Sequence, residues 1–131
     1  MLPRSLRALV DADGGRRLAR IRLPHVPPQI AWSADGRRLI VNLHRSLAIY
    51  DASGRRTGRI RMPGGQAATT FVPARSGPLV AVARRSGASS EIALMGPGTR
   101  ARVLFRADGR FPRLRFSPSG RWLLAAWPLA D

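Results

Sequence analysis

Short apolar runs separated by polar, glycine-bearing turns recur along the whole chain, and the clearest set lies between positions 29 and 62, QIAWSADGRRLIVNLHRSLAIYDASGRRTGRIRM. Four runs in that stretch, at 30–32, 39–41, 47–50 and 59–62, are divided by Asp35-Gly36, His44-Arg45-Ser46 and Ser53-Gly54. Glycine accepts the positive φ that tight hairpins require, so this pattern predicts four short antiparallel strands joined as a meander. Within the last run Arg59 and Arg61 alternate with Ile60 and Met62, and upstream Arg20 and Arg22 alternate with Ile21 and Leu23. A period of two puts apolar side chains on one face of each strand and guanidinium groups on the other, where charge discourages edge-to-edge association.

The same grammar returns as TTFVPARSGPLVAV (69–82) and as LRFSPSGRWLLAAW (114–127). Aligned on the aromatic of each first strand, Trp32, Phe71 and Phe116 are spaced by 39 and 45 residues. LVDADGGRRLARIRLP (9–24) likewise matches IYDASGRRTGRIRMP (49–63), with one extra residue in the turn. A period of about 40–45 residues with four strands per unit is the signature of β-propeller blades. WSADG, VPARSG and FSPSG resemble the aromatic-Ser-Pro-Asp-Gly signature of TolB-like propeller repeats; the Gly-His and Trp-Asp pairs of WD40 blades do not occur, which places that family second. The resemblance implies an all-β fold of antiparallel four-stranded blades, and a scaffold in place of an activity.

The expected organisation is one partial propeller over 1–131: an outer half-blade at 1–24, whole blades at 25–63 and 64–106, and an inner half-blade at 107–131. PHVPP (24–28), PGGQAA (63–68) and RADGRFP (106–112) connect the blades; proline, lacking an amide donor, makes the first a stiff connector. Three blade equivalents fall below the roughly four to eight of closed rings. Further blades, from a longer chain or from a homo-oligomer, are therefore expected. Trp32, Phe71 and Phe116 are expected to pack between neighbouring blades, and Trp122 and Trp127 to lie in the final second strand, one of them exposed if that strand is an edge.

Composition adds charge to this picture. The formal net charge is +16, and all 23 basic residues are arginine, which fits a coding bias as well as it fits phosphate contacts. There is no cysteine, so disulfides and thiolate metal sites drop out. No run approaches the roughly 18 apolar residues of a membrane-spanning helix, and none has signal-peptide length. The expected location is cytoplasmic for the chain as it stands, or outside the cytoplasm if a signal-bearing part precedes it, as the family resemblance implies.

Meander parity sorts the polar residues into two rims. Turns after first and third strands hold Arg16, Arg17, Arg37, Arg38, Arg55, Arg56, Arg75, Arg100 and Arg121, a basic rim able to attract phosphate or acidic protein surface. His25, His44, Arg45, Gln66, Arg85 and Ser86 gather on the opposite rim and form the candidate binding set by analogy with other propellers. Two histidines without a nearby carboxylate or third histidine do not make a metal site. The acidic residues lie mostly in or beside turns, where they cap the local backbone. No G-x-S-x-G elbow or phosphate loop occurs, and GPGTR (96–100) reads as a hairpin turn.

The leading expectation is a non-catalytic propeller scaffold for protein–protein interaction, without cofactor. The alternatives are the propeller portion of a larger hydrolase or peptidase, and a basic nucleic-acid-binding module, the latter disfavoured by the scarcity of aromatics free for base stacking.

Overall fold

The computed structural model describes residues 5–10, 17–23, 27, 29–109 and 113–126, with side chains from Arg20 onward within that set. His25, Arg16 and Trp127 lie outside the described residues. The fold is all-β, and among the described residues twelve strands form four antiparallel sheets. The first pairs β1 (Ser5–Val10) with β2 (Arg17–Leu23). The second is a meander of β3 (Ile30–Trp32), β4 (Arg38–Asn42), β5 (Ser46–Asp51) and β6 (Arg56–Arg61). The third repeats it with β7 (Ala67–Pro73), β8 (Val80–Ser86), β9 (Ser89–Met95) and β10 (Arg102–Asp108), and the fourth pairs β11 (Arg113–Phe116) with β12 (Leu123–Ala126).

The repeat extends to the ladders themselves. In β5–β6 the register breaks between Ile49 and Tyr50, and in β1–β2 between Leu9 and Val10, the positions that the matched segments bring into coincidence. Each break leaves one residue of the second strand unpaired, Leu18 in β2 and Thr57 in β6, and an extra residue of this kind bends its strand locally.

Side chains of the full sheets alternate between two neighbours. Leu39, Val41, Ala48 and Tyr50 pack against Ile21 and Leu23 of the first sheet. The intervening Ile40, Leu47 and Ile49, with Ile60 and Met62, meet Phe71, Val80, Val82, Ala93 and Met95 of the third. On the far side of that sheet Ala81, Ala83 and Ile92 pack against Leu114 and its neighbours of the fourth. The sheets thus stack face to face in chain order, and each fully buried aliphatic or aromatic side chain contributes about 1.5–3 kcal/mol. Alternation on the edge strands holds as expected: Arg20, Arg22, Arg59 and Arg61 are exposed while Ile21, Leu23, Ile60 and Met62 are buried.

Two details correct the sequence reading. The pairs Trp32↔Leu39, Pro73↔Val80 and Phe116↔Leu123 make Pro73, and not Phe71, the counterpart of Trp32 and Phe116. Phe71 sits two residues earlier, opposite Val82, where it is fully buried. Trp32 is 47% exposed in place of being buried between sheets, since it borders an open cleft shared with Val72, Pro73 and Phe116. Trp122 precedes β12 and is exposed, stacked under the Arg121 guanidinium at 5.2 Å.

Candidate functional site

The hairpin turns that follow β3 and β11 are built by a local polar lock. In the first, Ser33 donates its hydroxyl to Asp35 Oδ1 at 2.6 Å, the same oxygen accepts the Arg37 amide at 2.9 Å, and the Arg38 amide reaches Ser33 Oγ at 3.1 Å. These hydrogen bonds, first from the Ser33 hydroxyl and then from the Arg37 amide, hold the Asp35 carboxyl below the usual carboxylate range. Gly36 closes the turn at φ 71°. The β11–β12 turn copies the arrangement with Ser119 in the place of the aspartate: the Arg121 amide bonds Ser119 Oγ at 3.2 Å, and the Trp122 amide bonds Ser117 Oγ at 3.1 Å. In the β7–β8 turn Ala74 stands where serine stands in the others, and the backbone bond from the Ala74 amide to the Leu79 carbonyl at 2.9 Å keeps the closure. Asp51 performs the capping task between β5 and β6, where the Ser53 hydroxyl and then the local amides lower its pKa.

These turns lie together at one end of the stack. Arg75 crosses from the β7–β8 turn to donate Nε to the Ser117 carbonyl at 3.2 Å, and a cleft of about 280 Å³ separates Ser33, Asp35 and Arg38 from Gly77, Pro78 and Leu79. Arg37, Arg55, Arg75, Arg100 and Arg121 sit in the turns of this end, Arg38 and Arg56 open the strands that leave them, and all seven are exposed. Arg17 is the first residue of β2.

At the opposite end the backbone ties the β4–β5 turn to the connector that follows β6. Asn42, fully buried, donates Nδ2 to the Ala68 carbonyl at 3.2 Å and accepts the His44 amide at 2.8 Å. His44 adopts φ 70°, and its carbonyl accepts the Ala68 amide at 2.7 Å, while the Arg45 carbonyl accepts the Met62 amide at 2.9 Å. Ala67 pairs with Arg85, which brings Gln66 beside the end of β8. His44, Arg45, Gln66, Arg85 and Ser86 therefore share one end. His44 serves the fold through its backbone, and Arg85 folds back onto the Gly87 carbonyl at 2.6 Å.

Three features escaped the sequence reading. Gln29 uses its side-chain amide as a strap between sheets: Nε2 donates to the Phe71 carbonyl at 2.7 Å, and Oε1 accepts the Phe71 amide at 3.0 Å and the Thr70 hydroxyl at 3.2 Å. A charged row crosses the third sheet, with Arg84, only 6% exposed, bonded to Glu91 at 3.0 Å and Arg106 bonded to the same carboxylate at 3.3 Å. Arg84, followed by the other contacts, lowers the Glu91 pKa. The third is the exposed Trp32. Each of these depends on a partner strand, so the local pattern carries no sign of it.

No cluster of three or more histidine, cysteine, aspartate or glutamate side chains exists among the described residues, and no helix there is long and apolar enough to cross a membrane. What the fold and its ends define is an all-β protein of stacked antiparallel meanders with an arginine-rich end. Neither a known protein family nor a curated protein matches the chain.

Proposed function

We propose that the chain is a segment of a β-propeller, similar to TolB-like repeats, that acts as a non-catalytic scaffold for protein–protein interaction. The observation that carries this reading is the stacking of consecutive four-stranded meanders in chain order, with their innermost strands adjacent and their turns repeated. Asp35, Asp51 and Glu91 support the non-catalytic part, because each is committed to a turn or to arginine pairs in place of facing a nucleophile or a second carboxylate. Leu124 on β12 and Trp122 just before it are each 66% exposed, which favours a further sheet, from a longer chain or another copy, as the neighbour of that face.

Light scattering with circular dichroism on the purified chain tests the architecture. A β-rich species at a defined multiple of 14.3 kDa supports ring completion by copies, and a disordered, aggregating chain removes the free-standing scaffold. Photo-crosslinking from Arg55 and Arg100 tests the role: a protein captured there and lost when Arg37 and Arg38 become glutamate supports it, and absence of any specific crosslink from either position overturns it.

A second reading, nucleic-acid binding, draws on the seven exposed arginines at one end. It requires a steep fall of affinity with salt, since phosphate contacts release counterions.

A further inference from the structure

The innermost strands β3, β7 and β11 end side by side at the arginine-rich end, and a cleft of about 250 Å³ opens among them. Its walls are Trp32, Val72, Pro73, Arg75, Arg115 and Phe116. Burying an indole is among the largest apolar gains open to a chain, yet Trp32 is left 47% exposed beside a proline and a half-buried phenylalanine. Trp122, 66% exposed, carries the Arg121 guanidinium over its ring at 5.2 Å. No cation–π contact is made by Trp32 among the described residues, and about half of its surface is exposed.

The charges around that face are of one sign, because no aspartate or glutamate is among the residues that line the cleft. Arg75 bonds the Ser117 carbonyl at 3.2 Å and the Phe116 carbonyl at 3.5 Å, which uses two of its five N–H donors. Arg115 is exposed, makes no ion pair among the described residues, and also lines a second cleft of about 410 Å³ shared with Gln29, Thr70 and Arg113. An inorganic anion alone would leave the apolar wall wet, and an aromatic cation would meet two guanidinium groups. A ligand that satisfies both walls carries a flat ring and a negative group. The volume sits just below the roughly 300–1,000 Å³ of drug-sized sites, so one or two rings fit.

The geometry points to a binding site for a small planar aromatic anion, its ring stacked on Trp32 against Pro73 and Phe116 and its carboxylate or phosphate held by Arg75 and Arg115. The site is independent of the scaffold reading, since it needs only the three inner strands in place.

Isothermal titration of the full chain with 2-naphthoate, adenosine monophosphate, 2-naphthamide and inorganic phosphate tests it. We expect at least one ringed anion to saturate a single site, with the uncharged amide and bare phosphate each about tenfold weaker or more. Tighter binding of the nucleotide assigns the anion as phosphate, and tighter binding of the naphthoate assigns it as carboxylate. Arg115→Gln and Trp32→Ala each lower affinity about tenfold, while Trp32→Phe keeps it within about threefold, all with an unchanged circular dichroism spectrum. The site is overturned if neither ringed anion saturates, if phosphate or 2-naphthamide binds as tightly as they do, or if Arg115→Gln and Trp32→Ala leave binding unchanged. It is equally overturned if a short single-stranded oligonucleotide binds a hundredfold more tightly than the mononucleotide, with affinity falling steeply in salt; the cleft then belongs to the nucleic-acid reading.

Discussion

The β3–β4 and β11–β12 hairpins are the same object in two settings. Both close on a serine that bonds the amide and carbonyl five residues on, and both place glycine at a positive φ, 71° at Gly36 and 76° at Gly120. Their ladders coincide residue for residue, Ile30↔Val41 with Leu114↔Ala125 and Trp32↔Leu39 with Phe116↔Leu123. Burial does not follow. Ile40 is 4% exposed in the core between the second and third sheets, and its counterpart Leu124 is 66% exposed. Position in the repeat sets the backbone path, and only the neighbouring sheet turns an apolar position into core.

Truncation at the paired positions gives the largest contrast. Ile40→Ala should cost about 2–5 kcal/mol in chemical denaturation, whereas Leu124→Ala should stay within about 0.5 kcal/mol. Similar losses at both sites would mean that β12 is covered in solution, which would erase the difference and support a further sheet on that face. A smaller effect is expected at the residue that precedes Ile30 and at the one that precedes its counterpart Leu114. Gln29→Ala strands the buried Phe71 amide and carbonyl and should cost about 1–3 kcal/mol, while Arg113→Ala, at the matching place, should be near neutral in the same assay.

The turn caps separate the hairpins least. Asp35→Ala should lower the thermal midpoint by less than Gln29→Ala does, and Ser119→Asp, which installs the cap of the first hairpin in the last, should raise it slightly. Acid titration sharpens the point. Asp35, Asp51 and Glu91 have folded pKa values below their ordinary ones, so their contribution is fully present above the unfolded carboxylate range of about 4 and is lost as pH falls through the lowered folded values. Urea midpoints measured across that window should drop less for the Asp35→Ala protein than for the parent. An equal drop would remove Asp35 from the account.

Much of the fold was legible because its signals are local. Asp35-Gly36 and Ser53-Gly54 announce turns through the chemistry of adjacent residues, and the Arg59, Ile60, Arg61, Met62 alternation reports a face directly. What stayed hidden is held by partners far apart in the chain. Gln29 meets Phe71 across 42 residues, and Asn42 meets Ala68 across 26. A glutamine after a proline-rich connector reads as solvated until the register of the next sheet is known. Arg84 was equally unreadable, since an arginine in an apolar run ordinarily points to water and here reaches Glu91 under cover of the second sheet. The candidate site divides the same way: the arginine rim follows from turn parity, and the Trp32 cleft requires three strands from three sheets.

The amide of Gln29 stands in for a peptide group, so the second sheet is stitched to the third at its innermost strand, with Asn42 adding a stitch nearby. Toward the outer strands the sheets touch through apolar packing, with Ile60 and Met62 in the same core as Met95, without a comparable stitch among the described residues. The stack is bound like a book at its spine. Its softest motion is a fanning of the outer margins, which leaves the spine, and whatever rests against it, still. Amide exchange should therefore be slowest along β7 and fastest along β10, and a force applied to the outer margins would open the leaves before it loosened the binding.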